Sequence, residues 1–112
     1  MKRIKENSVF LKATTASHPE QCKALLQSAK QSQLDSICEI ILNIVRGTIT
    51  LKDTLFVKAK RYRKVLRELI TKCGNKKTRK ELMVKYWRII QKLVAAALPV
   101  IGLVLTGVQL SN

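Results

Sequence analysis

The chain has 112 residues, with 22 Lys and Arg against seven Asp and Glu, and a formal charge of +15. That length allows one small domain, and 46% hydrophobic residues with only four Gly and two Pro exclude a disordered basic tail and a Gly/Pro-rich fibre. A single His and scattered carboxylates leave catalytic groups scarce, so no enzyme and no cofactor is expected; the charge calls instead for an anionic partner, nucleic acid or a membrane surface.

Hydrophobic spacing predicts helices throughout, and the expected fold is all-α: a small bundle of three to four helices with a basic third helix and an apolar C-terminal helical tail. Residues 1–16 are polar and weakly patterned, so a flexible basic arm is expected there. Met1-Lys2-Arg3 would suit a secretory signal, but Val9-Phe10-Leu11 stops at Lys12, and no signal is expected. A helical basic domain then spans 17–92. Ser17-His18-Pro19-Glu20 has the form of a capping box, followed at helical spacing by Cys22, Leu25, Leu26 and Ala29. Leu34, Ile37, Cys38, Ile41, Leu42 and Val45 form the next apolar face, which either continues the first helix or starts a second at Ser32 and Asp35.

Gly47 is placed to end that segment as a C′ residue, where a left-handed backbone costs glycine little. Thr50 to Asp53 restarts a helix. Leu55, Ala59, Tyr62, Leu66, Leu69 and Cys73 recur at steps of four and three, a seam for packing against another helix. Gly74-Asn75 ends it, and Thr78 to Glu81 forms a further S/T-x-x-E box. Cys22, Cys38 and Cys73 are odd in number and widely spaced, which fits neither a zinc site nor a disulfide scaffold; a reducing compartment and burial as small hydrophobes are expected, with no metal.

The charge is concentrated. Between Lys52 and Lys92 lie fifteen basic residues against Asp53, Glu68 and Glu81. Lys60, Arg63, Lys64 and Arg67, at i, i+3, i+4 and i+7, form one cationic stripe expected roughly opposite the Tyr62, Leu66 and Leu69 seam. Lys76, Lys77, Arg79 and Lys80 cluster at a helix start, where the dipole disfavours cations and an external anion would relieve them. Lys85 and Arg88 extend the set. Such a surface suits phosphate contacts along a duplex, whereas no device for reading bases is visible, so sequence-independent binding is expected. The Lys76 to Lys80 run also has the composition of a nuclear-import signal.

From Leu93 to Asn112 no residue is charged. This tail, 93–112, is short for a bilayer span and is interrupted by Pro99, Gly102 and Gly107. Trp87, Leu93, Val94, Leu98, Val100, Ile101, Leu103 and Val104 are its candidate contact residues. Three destinations stay open for them: a core or oligomer interface, a membrane-active segment, and a transmembrane anchor.

The run Cys38-Glu39 with Asn43 and Gly47, then Tyr62-Arg63-Lys64-Val65-Leu66-Arg67-Glu68-Leu69, the Lys/Arg-rich turn and the apolar Pro-containing end carry a resemblance. Over about residues 10–105 the chain resembles the small basic proteins of adintoviruses and related Polinton (Maverick) elements, which have been compared with the adenovirus core-protein precursor. Where those relatives often have a Gly-Gly-Phe-Leu-Pro-like step, this chain has Tyr86-Trp87-Arg88-Ile89-Ile90. The resemblance implies a virion-associated protein acting on packaged double-stranded DNA, in the virion and the host nucleus. Glu39 and Asn43 are expected to buttress the Gly47 turn. The leading expectation is a protein that binds and condenses DNA and self-associates through its tail. A membrane-active protein working on anionic lipid, and an adaptor cementing capsid proteins, are the competing expectations.

Overall fold

A computed structural model of the chain describes residues 2–71 and 76–105, with side chains for 3–71 and 76–102. Among the described residues eight helices follow one another: α1 (Lys2–Glu6), α2 (Ser8–Ala16), α3 (Pro19–Gln27), α4 (Gln31–Val45), α5 (Asp53–Arg61), α6 (Arg63–Thr71), α7 (Lys76–Lys85) and α8 (Trp87–Leu105). The all-α class is as expected, but the bundle of three to four helices is not. The excess comes from single-residue breaks. Asn7, Tyr62 and Tyr86 each interrupt a helical run that carries neither Gly nor Pro at that point, so nothing in the sequence announced a stop. Hydrogen bonding resumes directly after each break, with Leu66 N donating to Tyr62 O at 3.0 Å and Ile90 N to Tyr86 O at 3.2 Å.

The segment expected to be an arm is instead α1 and α2. Ile4, Phe10 and Leu11 are buried, and α1 packs on α4 while α2 packs on α8. Gln91 Nε2 of α8 donates to Thr14 O at 2.9 Å and Ser17 O at 3.1 Å, closing the end of α2 onto the core. Three apolar residues spread over a basic stretch were too few to show as a period, yet enough to seat two short helices.

Helix ends follow the expected positions with shifted partners. His18 is the N-cap of α3, with Pro19 supplying the preset backbone angle of a first turn, and Ser17 Oγ turns back to Ala13 O. For α4 the cap is Lys30, whose backbone N–H donates to Gln33 Oε1 at 2.8 Å. Lys52, not Thr50, precedes α5, and α7 already runs through Thr78, placing that box inside a helix. Gly47 does take the left-handed conformation, at φ +81°. Thr48 N donates to Asn43 O at 2.9 Å and Gly47 N to Ile44 O at 3.1 Å, the paired bonds of a Schellman ending. The backbone carbonyl of Asn43 therefore holds this turn, while its side-chain amide donates to Glu39 O at 3.0 Å.

The core lies between α4 and α8, against which the other helices pack. Leu34, Ile37, Ile40 and Ile41 of α4 meet Ile90, Leu93, Val94 and Ala97 of α8 in one buried cluster. Cys22 and Cys38 are buried thiols, as their places on apolar faces predicted, and Cys38 Sγ donates to Leu69 O at 3.6 Å. Cys73, Gly74, Asn75 and Gly107 lie outside the described residues. Helix α8 continues past Pro99 because Leu93, Val94, Ala97 and Ile101 keep one face buried on both sides of it while Pro99 itself is exposed.

Candidate nucleic-acid interface

The seam on α5 and α6 is real and crosses the break: Ala59, Leu66 and Leu69 are buried, with Leu55 and Tyr62 half-buried beside them. Packing that face leaves Lys60, Arg63, Lys64 and Arg67 exposed. Among the described residues none of the four is ion-paired. Their charge is therefore carried to the surface beside a packed face that anchors the two helices. The stripe borders the seam rather than opposing it. Lys60, Arg63 and Arg67 line the same cleft as Ala59 and Leu66, together with Ile44, Val45, Ile49, Leu51 and Phe56, and the cleft holds about 310 Å³.

Of the cations expected at the start of α7, only two are surface groups of that kind. Lys76 and Lys77 are exposed. Arg79 is buried, 1% exposed, and its Nη1 pairs with Asp35 Oδ1 of α4, so its assignment as a phosphate contact is corrected. Asp35 is itself oriented by Gln31 Nε2 at 2.9 Å. Lys80 reaches across to α3, where its Nζ donates to Gln27 O at 2.8 Å. Both residues clasp α7 to neighbouring helices. Their partners lie far away along the chain, so local spacing could not distinguish clasp from ligand.

Lys85 and Arg88 are exposed at the α7–α8 break. The Lys85 ammonium lies 5.4 Å from the Tyr86 ring centre, and the Arg88 guanidinium 5.5 Å from that of Trp87, which Lys23 approaches from α3 at 5.8 Å. Tyr86 meets Tyr62 edge to face, centroids 5.9 Å apart, so the two breaks lean on each other. These two cations consequently sit over aromatic rings in a hollow shared with Tyr62 and Ile89, apart from the cleft that Arg63 and Arg67 line.

A further cationic group was not anticipated as a site. Lys58 of α5 stands against Lys92 of α8, with Arg88 one turn earlier on α8. Contact with the Lys58 ammonium and its charge, then desolvation and the Arg88 charge, hold Lys92 below the ordinary lysine range. The signal was present in the sequence as charge density, but its pairing across two helices was not.

Six of the apolar residues expected to meet lipid or a second copy pack into or against the core. Trp87, Leu93, Val94 and Ile101 are buried in the core, and Leu98 and Val100 pack partly against it. The side chains of Leu103 and Val104 lie outside the described residues. Among the described residues no helix is long and apolar enough to cross a membrane. No protein family, curated protein or solved structure matches this chain.

Proposed function

We propose that this is a non-enzymatic protein that binds the phosphate backbone of double-stranded DNA without sequence preference. The observation that carries this reading is the α5–α6 stripe: four exposed cations, free of ion pairs among the described residues, on a face fixed by the Ala59, Leu66 and Leu69 packing. Cations preset on a folded surface neutralise phosphates and release counterions without the ordering cost that a disordered tail would add. Lys76, Lys77, Lys85 and Arg88 supply further surface charge, and +15 overall draws the protein to a polyanion. The resemblance to the basic proteins of adintoviruses and Polinton elements supports packaged duplex DNA as the polyanion, and the virion and host nucleus as the setting.

Gel shift of a random-sequence duplex tests the assignment. The variant Lys60→Gln, Arg63→Gln, Lys64→Gln, Arg67→Gln keeps every buried contact and is expected to bind at least about a hundredfold more weakly in dilute salt. Unchanged binding by the folded variant would overturn it.

A further inference from the structure

We propose that the cleft between the end of α4 and the α5–α6 pair docks an acidic amphipathic helix of a partner protein. Two chemistries meet there. The floor is apolar, with Ile49 and Leu66 each 3% exposed, and it opens onto Val45 and Phe56, which remain 49% exposed on the rim. Lys60 at the end of α5 and Arg63 and Arg67 of α6 line the same cleft, on either side of the Tyr62 break. Lys60 Nζ lies 4.7 Å from the Phe56 ring centre, which brings the cationic and apolar sides into contact.

Each simpler occupant uses only half of this surface. A phosphate backbone gains from the cations and nothing from the apolar floor. A flat bilayer does not reach a recessed floor. A second copy brings another +15 and is repelled. A helix with apolar residues at i, i+3 or i+4 and i+7, flanked by Asp and Glu, satisfies both: its apolar side chains enter the cleft and its carboxylates meet the three cations. This goes beyond duplex binding while sharing Lys60, Arg63 and Arg67 with it, so the acidic helix and DNA exclude each other, and such a partner would release the nucleic acid.

Fluorescence anisotropy on the full chain tests the proposal with a labelled Leu/Glu peptide of about 18 residues, long enough to form an amphipathic helix. Its control is a scrambled peptide of identical composition. The amphipathic peptide is expected to bind at least about tenfold more tightly than the scramble, and Val45→Ser with Phe56→Ser to remove that advantage. Both substituted residues are half-exposed, so the fold is retained. Equal binding of the two peptides, or full binding by the double variant, would overturn the proposal. Saturable uptake of laurate with no peptide binding would give the cleft to a small amphipathic anion and overturn it as well. The assay contains no DNA, so its outcome is independent of the duplex-binding reading.

Discussion

Arg79 and Asp35 separate structure from function at the level of one side chain. The guanidinium is the buried partner and the carboxylate is partly exposed, so removing Asp35 strands a charge in the core, whereas replacing Arg79 with an apolar chain removes it. Asp35→Ala is expected to lower unfolding free energy by about 3 kcal/mol in urea titration. Arg79→Met is expected to cost less and to leave DNA affinity within the loss expected from one unit of charge. Equal costs would contradict the pair's assigned asymmetry. At Gly47 the backbone alone is at stake: φ is +81° and a Cβ would meet nothing within 4 Å. Gly47→Ala should therefore cost about 1–2 kcal/mol, the penalty of a left-handed L-residue, with Gly47→Asn costing less. The Lys58–Lys92 contact adds a pH dependence. Lys92 binds its proton less tightly in the folded chain than in the unfolded one, so stability rises with pH as the ordinary lysine range is approached from below. Lys58→Gln should flatten that rise in thermal melts at successive pH values.

Among the elements, the helices with a clear period were legible and the short ones were not. The apolar face of α4, the Gly47 stop and the α5–α6 seam follow directly from spacing, because burial on one face and a left-handed turn both leave sequence marks. The breaks at Tyr62 and Tyr86 leave none; they arise where two tyrosines pack edge to face across the fold. The α1–α2 segment was hidden for a related reason, since its burial depends on the α4 and α8 surfaces it lands on. Leu11, fully buried, reports on this. Leu11→Ala should cost about 2–5 kcal/mol by urea denaturation, as for a core leucine, whereas a mobile arm would register almost nothing. In the basic surface the same division holds. The Lys60 to Arg67 stripe was readable from i, i+3, i+4 and i+7 spacing, while the clasp roles of Arg79 and Lys80 were set by partners on α4 and α3.

For the whole molecule, the apolar tail and the basic stretch solve one problem together. A radius of gyration of 13.4 Å, against about 13 Å for a compact chain of this length, means that +15 is held on a small body. Charge of that density opposes folding, and the buried face of α8 opposes the charge by joining α2, α3, α4 and α5. Trp87, Leu93, Val94 and Ile101, which looked available for a membrane, thus belong to the centre that keeps the cations in place. Salt dependence of duplex binding measures the result. Neutralising about six to eight phosphates gives a slope of log K against log salt of about −5 to −7, and each lost contact flattens it by about 0.9. The full chain is expected to fall in that range, and the Lys60, Arg63, Lys64, Arg67 glutamine variant to be flatter by about 3 to 4. Parallel slopes for the two proteins, or a slope near zero for the full chain, would contradict the account.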